Sequence, residues 1–325
     1  MLAFILVVFF LLIITVLSFY IYVKTTTGVC VSSRHLVGKV VLVTGGTSGI
    51  GYETAADLAE RGARVLIASN ERHGDSVRDT IVARSGNTDV HFIYLDLASL
   101  DSVRSVATDI IAKEKRLDVL INNAGMIDVK NEKSEDGSPI GMQVNYFGPF
   151  LLTNLLLPLI SSTPRSRIVN VASVAYKYGR VDLDNLNTVR SGYLSSYLTY
   201  FDSKLCVALM TVELARRYQG TGVTANFLHP GIVLTKMINT RIFRIILPIC
   251  KPFVKTPRQA AHTAIYLAVS PEVEVITGCY FEDCKVKKIC IKARDKDLAS
   301  ALWIATEETL TKSPNALTTT SSSIS

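Results

Sequence analysis

The chain contains a tyrosine and a lysine whose spacing is suited to proton transfer. Tyr200 and Lys204 lie four residues apart in a segment with a helical pattern, so their side chains share one helix face. A phenol ordinarily ionises near pH ~10, and a neighbouring ammonium group stabilises the phenolate. We therefore expect Lys204 to lower the pKa of Tyr200, which then takes a proton from, or gives one to, a substrate oxygen. Taken alone, such a pair is more often part of a solvated helix face. Tyr197 has Phe201 four residues later and so lacks an ammonium partner.

A glycine-rich segment near the start of the chain is suited to binding a pyrophosphate. It follows an apolar run and reads Thr44-Gly-Gly-Thr-Ser-Gly-Ile-Gly51. Glycines permit a tight turn and close approach of the backbone, and the next helix offers N–H donors and a partial positive charge at its start. The expected contacts come from Gly45, Thr47, Ser48, Gly49, Ile50 and Gly51. The alternative is an ordinary turn between a strand and a helix.

Further polar and small residues follow the later strands. Asp96 and Leu97 follow the third candidate strand, and Asn123, Ala124 and Gly125 follow the fourth. Small residues there leave room for an adenosine, and Asp96 is a candidate acceptor for the adenine amine. Asp96 is equally suited to capping the following helix.

Two more polar side chains complete the candidate site. Ser173 follows the fifth candidate strand, where its hydroxyl can hold a substrate oxygen beside Tyr200. Asn145 lies in the apolar helical stretch Met142–Leu157, where an unpaired amide costs ~1–3 kcal/mol. It is therefore either satisfied locally or part of the site.

The elements that must position these residues alternate between strand and helix. The candidate strands are Val40–Thr44, Arg64–Ser69, Val90–Leu95, Val119–Ile121, Arg167–Val171, Val223–Leu228 and Ile276–Phe281. The intervening stretches are long enough for crossover helices, and continuous apolar strands suit a sheet covered on both faces. We predict an α/β fold with one Rossmann-type, doubly wound parallel sheet of about seven strands. Ligands then bind at the carboxyl ends of the strands.

The composition narrows the class of protein. The 325 residues include 48% hydrophobic and 19% charged residues, which excludes a disordered or collagen-like chain. The 35 Lys+Arg against 28 Asp+Glu give a net charge of +7 without a basic stripe, so no nucleic-acid partner is expected. The six cysteines match neither a disulfide ladder nor a metal-binding pattern, and no metal is expected.

The amino-terminal segment favours a membrane anchor. No charged residue occurs from Leu2 to Val23, a run that spans about 33 Å as a helix. A cleaved signal peptide and a buried core helix are the alternatives. The flanking Lys24, Arg34 and Lys39 place the following domain in the cytosol by the positive-inside rule.

The sequence predicts four segments along the chain. We expect an anchor at 1–23, a linker at 24–37, one catalytic domain at 38–312 and a disordered Ser/Thr-rich tail at 313–325. The stretch from Met237 to Lys255 mixes apolar and basic residues. It suits either a lid packed on the core or an amphipathic lid on the membrane surface.

Taken together, the motifs resemble those of the short-chain dehydrogenase/reductase family, in its retinol dehydrogenase-like branch. They are Thr44–Gly51, Asn122–Gly125, Asn145, Ser173, Tyr200-x-x-x-Lys204, Glu213-Leu-Ala-Arg-Arg217 and His229-Pro-Gly231. The resemblance implies that Lys204 also binds the nicotinamide ribose and that Asn145 holds a water that relays protons through Lys204. It implies contacts from Pro230, Gly231, Val233 and Thr235 to the carboxamide and phosphates. We assign no chemistry to His229.

The choice of cofactor depends on the residues after the second strand. NADP-preferring relatives usually carry Arg where this chain has Asn70, and an NAD signature would place Asp at the strand end. Arg72 can reach a 2′-phosphate from two residues further on, whereas Glu71 would oppose it. We expect NADP, with NAD as the alternative.

The sequence thus predicts a membrane-anchored oxidoreductase of lipid metabolism. It interconverts an apolar alcohol and its aldehyde or ketone, with a retinoid as first choice before prenyl, fatty or steroid substrates. We expect a single-pass membrane protein located in the endoplasmic reticulum. The alternatives are a non-catalytic dehydrogenase-fold binding protein at a membrane and an isomerase or epimerase on the same cofactor. The oligomeric state is open.

Overall fold

The structure, a computed structural model, describes residues 1, 4, 9–11, 14–15, 17–18, 20–21, 25–128, 130, 132–233 and 254–312. Thr235, the expected tail and nearly all of the stretch 237–255 lie outside the described residues.

The described residues form one parallel-type sheet with helices on both faces. The strands are β1 (Val40–Thr44), β2 (Arg64–Ser69), β3 (Val90–Tyr94), β4 (Val119–Asn122), β5 (Arg167–Val171), β6 (Thr224–His229), β7 (Tyr280–Glu282) and β8 (Lys285–Lys287). The helices are α1 (Gly49–Glu60), α2 (Gly74–Ser85), α3 (Leu100–Lys113), α4 (Ile140–Ser162), α5 (Ser195–Arg217), α6 (Pro257–Val269) and α7 (Lys296–Thr311).

The strand order is β3-β2-β1-β4-β5-β6-β7-β8. All neighbours are parallel except β7 and β8, which form an antiparallel hairpin. The prediction of a doubly wound Rossmann-type sheet is confirmed, but the sheet has eight strands rather than about seven. The order reverses between β1 and β4, which is where such sheets bind dinucleotides.

The apolar runs bury both of their faces. In β1, Val40 and Leu42 belong to one core layer, and Val41 and Val43 to the other. The first layer includes apolar residues of α3, α4 and α5; the second includes those of α1 and α6. A sheet covered on both sides needs such continuous apolar strands, because alternate side chains point to opposite faces.

The seventh strand begins later than the sequence suggests. The prediction placed it at Ile276–Phe281, whereas β7 covers Tyr280–Glu282. Gly278 adopts φ +70°, which breaks the extended backbone. The side chain of Asn226 instead bonds to the main chain there, donating to Ile276 O at 2.6 Å and accepting from Cys279 N at 3.0 Å.

Two apolar helical stretches differ in their surroundings. Among the described residues, α4 alone is long and apolar enough to cross a membrane, yet it is mostly buried beside α3 in the domain core. The described residues between Phe4 and Ile21, in the expected anchor, are helical and exposed.

Residues of the expected linker lie against the domain. Leu36 is buried, and its N–H donates to Arg61 O at 2.8 Å. Arg34 pairs with Glu274 at 3.0 Å, and the Gly28 N–H donates to Asp283 Oδ1 at 3.0 Å. This part of the chain therefore extends from α1 to the β7–β8 turn.

Candidate active site

The carboxyl ends of β1, β4, β5 and β6 lie side by side and carry most of the predicted site residues. Each of these strands passes directly into a loop at the same edge of the sheet because all four are parallel. The loops begin at Gly45, Asn123, Ala172 and Pro230. The topology thus brings together residues from four separate parts of the chain.

The glycine-rich turn after β1 is shaped by two glycines. Gly45 adopts φ +65°, in the left-handed region. A Cβ on Gly51 would lie 2.1 Å from Gly45 O, so no larger residue fits there. α1 begins at Gly49, with the exposed Ser48 as its N-cap and no acidic residue in its first turn. Its start therefore presents backbone donors and a positive dipole end to the solvent-facing edge.

Two polar residues near this turn bond within the protein. Thr47 Oγ1 donates to Ser69 Oγ at 2.9 Å, which ties the turn to the end of β2. Asn123 Nδ2 donates to Thr44 O at 2.9 Å, and the N–H groups of Asn123 and Ala124 donate to Thr44 Oγ1 at 3.0 and 3.1 Å. The Asn123 side chain thus fixes the glycine turn, and its amide bonds to protein.

Asp96 and Leu97 stand after β3 as expected, but Asp96 does not cap the helix. Its Oδ1 accepts from Ala98 N at 3.0 Å, while the cap of α3 is Ser99, whose hydroxyl accepts from Ser102 N. Leu97 is buried against Gly148, where a Cβ would lie 2.8 Å from Leu97 O.

The residues expected to select the cofactor are exposed. Asn70, Glu71 and Arg72 follow β2 directly, and all three are open to solvent. Within the described part of the chain, no acidic side chain pairs with Arg72, whereas Arg78 pairs with Asp75 and Asp79. Among the described residues, Arg72 therefore has no acidic partner, and it lies three residues after Ser69, which Thr47 of the glycine turn contacts.

Tyr200 and Lys204 lie together on α5, opposite the end of β5. Lys204 Nζ is 5.6 Å from the centroid of the Tyr200 ring and donates to Val171 O at 3.0 Å. The Ser173 hydroxyl accepts from Ala175 N at 3.3 Å and lies near enough to the phenol to lower the pKa of Tyr200. Lys204 is 4% exposed, whereas Tyr200 and Ser173 are partly exposed. The phenol and the hydroxyl are thus partly open to a substrate oxygen, while the ammonium group is nearly enclosed.

The pKa of Tyr200 shifts opposite to our expectation. Burial raises it above the ordinary value, and the nearby Ser173 hydroxyl lowers it by less. Burial also lowers the pKa of Lys204 to about 8. The expectation of a lowered phenol pKa is wrong for this arrangement, because the ammonium group faces the ring and the Val171 carbonyl while desolvation dominates. Tyr200 is therefore a protonated acid at neutral pH.

Asn145 sits in a π-helical turn (Gln143–Phe147) inside α4. Its Oδ1 accepts from Met126 N at 2.8 Å, and its Nδ2 donates to Met126 O at 2.9 Å and Ser203 Oγ at 3.1 Å. Both amide hydrogens are thus engaged by protein, which agrees with a locally satisfied polar residue. The water relay stays a prediction.

Gly125 keeps a small space open between Asn145 and Lys204. A Cβ at this position would lie 3.2 Å from both Asn145 Oδ1 and Lys204 Nζ. The four predicted catalytic residues therefore form one cluster around the ends of β4 and β5.

The segment after β6 is only partly described. Gly231 adopts φ +94°, and Pro230 and Val233 follow the strand at the same edge. His229 is buried, and its Nδ1 has no hydrogen-bond partner among the described residues. Burial and the nearby Lys255 ammonium lower its pKa to about 4, so the imidazole is neutral at pH 7.

Three residues near the site were not anticipated. Ser203 bonds to Asn145, and Lys255 and Asp283 pair beside Pro230. Ser203 lies one residue from Lys204 in sequence, which was the only available signal. Lys255 and Asp283 are distant from every motif, and only the fold brings them close.

These features fit a dinucleotide cofactor. The glycine turn is a cradle that a Cβ at Gly51 would fill, and the exposed Arg72 follows the neighbouring strand β2. The space at Gly125 lies next to a buried ammonium group at the other end of the cluster. Backbone donors and a cation suit phosphates, and the ammonium group suits ribose hydroxyls.

The chain is similar to known proteins of one family. The family model for short chain dehydrogenase matches residues 39–242. Human retinol dehydrogenase 11 is 41% identical over 280 residues, covering 86% of this chain and 87% of that protein. Human retinol dehydrogenase 14 is 45% identical over 289 residues, covering 83% and 85%.

Solved structures show the same fold. An uncharacterised protein from Mycobacterium paratuberculosis has a TM-score of 0.69 and 30% identity, covering 85% of this chain and 94% of that one. A short chain dehydrogenase from Shigella flexneri in complex with NADP has a TM-score of 0.62 and 25% identity, covering 78% and 100%.

Proposed function

The chain belongs to the short-chain dehydrogenase/reductase family, in its retinol dehydrogenase-like branch, and is an NAD(P)-dependent oxidoreductase; from this premise we propose that it interconverts an apolar alcohol and its aldehyde or ketone at a membrane. The observation that carries the proposal is the cluster of Ser173, Tyr200 and Lys204. It joins a partly exposed acid, a partly exposed hydroxyl and a buried cation at the cofactor edge of the sheet.

Tyr200 is the proposed acid and base. In the reducing direction its phenol gives a proton to the substrate oxygen, and in the oxidising direction its phenolate takes that proton back. Its raised pKa favours the protonated form, so the neutral-pH protein is prepared for reduction. A bound nicotinamide supplies the hydride acceptor or donor.

The other three residues of the cluster support this proton transfer. Ser173 holds the substrate oxygen through its hydroxyl, which lies near the phenol and lowers the pKa of Tyr200. Lys204 supplies a positive charge that stabilises phenolate as it forms and also binds the ribose. Asn145 accepts a hydrogen bond from Met126 N. Its Oδ1 faces Lys204 Nζ across the space beside Gly125, where a water that relays protons would bond to Asn145 and Lys204.

The proposed cofactor is NADP. We propose that the glycine turn from Gly45 to Gly51, the Asn123–Gly125 segment and Pro230–Val233 line the cofactor site, with Asp96 and Leu97 at the adenine end. Thr235, which the family resemblance adds to this set, lies outside the described residues. Arg72 is the one cation just after β2 that is free of acidic partners within the described chain, and Asn70 stands beside it. The NADP complex of the Shigella relative supports this choice.

A retinoid is the first-choice substrate. The relatives named retinol dehydrogenase are about as long as this chain and match it over most of its length. An uncharged amino-terminal run suits a substrate that partitions into lipid. We propose residues 1–23 as a single membrane anchor, 38–312 as the catalytic domain facing the cytosol, and the endoplasmic reticulum as the membrane.

The test is consumption of reduced cofactor by the full-length protein in detergent. NADPH and NADH are each offered with all-trans-retinal, farnesal and a ketosteroid, and absorbance at the nicotinamide band is followed. We expect oxidation of NADPH with retinal above the rate without carbonyl. Tight cofactor binding with no turnover on any carbonyl would instead favour a binding protein. Preference for NADH would overturn the cofactor assignment alone.

A further inference from the structure

The residues that precede the catalytic domain form an ordered strap across it. We define the N-terminal strap as residues 28–36. It is held by the Gly28–Asp283 and Arg34–Glu274 contacts and by Arg61, whose Nη1 donates to Ser32 O at 2.7 Å and to Arg34 O at 3.2 Å. The match to the family model begins only at residue 39. The strap is therefore a feature of this chain outside that match.

One end of the strap meets a shared carboxylate. Asp283 Oδ1 accepts from Gly28 N at 3.0 Å and from Lys255 Nζ at 2.5 Å. The side chains of Asp283 and Lys255 are 21% and 10% exposed, so this bond is largely shielded from water. A shielded, charge-assisted pair is stronger and more directional than one on the surface.

The approach of the strap to Asp283 leaves no room for a side chain. A Cβ on Gly28 would lie 2.2 Å from both Asp283 C and Asp283 O. Because these are backbone atoms, a larger residue at position 28 must displace the strap or the β7–β8 turn. The contact therefore depends on glycine at this position for space.

Lys255 in turn holds the turn after β6. Its Nζ donates to Pro230 O at 3.3 Å, and its N–H donates to Ile232 O at 2.9 Å. Its Cδ, Cε and Nζ occupy the space beside Gly231, 2.6–2.8 Å from where a Cβ would be. Both the main chain and the side chain of Lys255 thus contact Pro230–Ile232.

We propose that Gly28, Asp283 and Lys255 form a latch that fixes the Pro230–Gly231 turn in the position needed to bind the cofactor. The proposal rests on the proposed function, in which this turn contacts the nicotinamide cofactor. It makes Asp283 and Lys255 positioning residues, and it makes the strap a working part of the cofactor site. The anchor-proximal chain and the active-site edge are then joined through one carboxylate.

The first test measures cofactor affinity in the full-length protein in detergent. NADPH binding is followed by its fluorescence for wild type, Gly28→Ala and Lys255→Met, with Ser33→Ala and Lys285→Met as matched controls. Ser33 and Lys285 are exposed; Ser33 lies in the strap, and Lys285 lies on the β7–β8 hairpin that carries Asp283. We expect the Kd to rise roughly tenfold in each latch variant and to stay unchanged in each control.

The double variant Gly28→Ala/Lys255→Met separates a latch from two independent effects. If both residues act through Asp283, the Kd of the double variant for NADPH should be about equal to the higher of the two single-variant Kd values. Multiplying effects, or a wild-type Kd in either single variant, would overturn the latch. Failure of the wild type itself to bind NADPH or NADH would instead overturn the proposed function.

A second measurement needs no cofactor. Hydrogen exchange at the Lys255 amide reports its bond to Ile232 O. We expect faster exchange in Gly28→Ala than in Ser33→Ala, while the core amides of β1 and β5 keep wild-type protection. Equal exchange at Lys255 in both variants would contradict coupling between the strap and the turn. Faster exchange throughout the sheet would show general destabilisation and also contradict the latch.

Discussion

At the residue scale, the buried ammonium group of Lys204 sets the conditions for proton transfer by Tyr200. Among the described residues its one hydrogen-bond acceptor is Val171 O, and burial lowers its pKa to about 8. The Tyr200 phenol, like an ordinary phenol, keeps its proton at neutral pH, and its raised pKa extends the protonated form to more alkaline pH. The cluster therefore carries both the proton and the positive charge only below about pH 8.

This charge state predicts how the reaction depends on pH. Carbonyl reduction needs protonated Tyr200 and charged Lys204, so kcat/KM for reduction should be flat between pH 6 and 7 and fall as pH rises through about 8. Alcohol oxidation needs phenolate and should have a more alkaline optimum. The measurement is kcat/KM for both directions across this range. A reduction rate that rises through pH 8 would contradict these charge states.

Arg72 predicts the discrimination between the two cofactors. If its guanidinium pairs with a 2′-phosphate, Arg72→Gln should raise the Kd for NADPH about tenfold and leave the Kd for NADH unchanged. Arg78→Gln is the control, because Arg78 is already paired with Asp75 and Asp79. Equal effects of Arg72→Gln on both cofactors would remove Arg72 from the phosphate site.

The residue types and their spacing predict the cluster but not all of its electrostatics. The spacing of Tyr200 and Lys204 predicted a shared helix face, and the two side chains do lie together. The direction of the Tyr200 pKa shift was missed because desolvation depends on burial, which spacing does not reveal. The bonds of Asn123 to Thr44 are also not predictable from spacing, because they depend on the pairing of β1 with β4.

At the element scale, the start of α1 depends on close backbone contact. Gly51 lies against Gly45 O, where a Cβ would be only 2.1 Å away. Gly51→Ala should therefore displace the glycine turn and weaken cofactor binding roughly tenfold or more. Gly141→Ala is the control, since its Cβ would meet no atom nearer than 3.4 Å. The measurement is the Kd for NADPH, and equal values for the two variants would contradict the role of this turn.

The sequence predicted β1, β2 and β5 with their observed bounds, because long apolar β-branched runs bury both faces of a parallel strand. It did not predict β8. The β7–β8 turn has φ of +54° at Asp283 and +57° at Cys284. Turns with this backbone conformation usually have the sequence Asn-Gly or Asp-Gly, whereas this one is Asp-Cys. The π-helical turn at Asn145 also has no sequence signal, although such turns often occur at functional sites.

At the scale of the whole molecule, the amino terminus has two parts with different properties. The described residues from Phe4 to Ile21 are exposed and mostly apolar, whereas the strap is packed on the domain. Composition predicted the first as an anchor. The packing of the second was not predictable, because Gly28 and Asp283 are 255 residues apart in the chain.

If residues 1–23 anchor the protein, it should be found with the membranes rather than in the soluble fraction. The full-length chain should stay with membranes after an alkaline carbonate wash and require detergent for release. A protein that lacks residues 2–24 should move to the soluble fraction or be released by the wash. Release of the full-length chain by carbonate, or detergent dependence after the deletion, would contradict a single amino-terminal anchor.

The most direct test of the account compares Tyr200→Phe with Tyr197→Phe. Tyr197 lies on the same helix but is exposed and has no lysine four residues later. With NADPH and the best carbonyl substrate, Tyr200→Phe should lower kcat by about 10²- to 10⁴-fold while the Kd for NADPH stays near that of wild type. Tyr197→Phe should retain activity. Turnover by Tyr200→Phe at the wild-type rate would contradict proton transfer by this residue and with it the proposed mechanism.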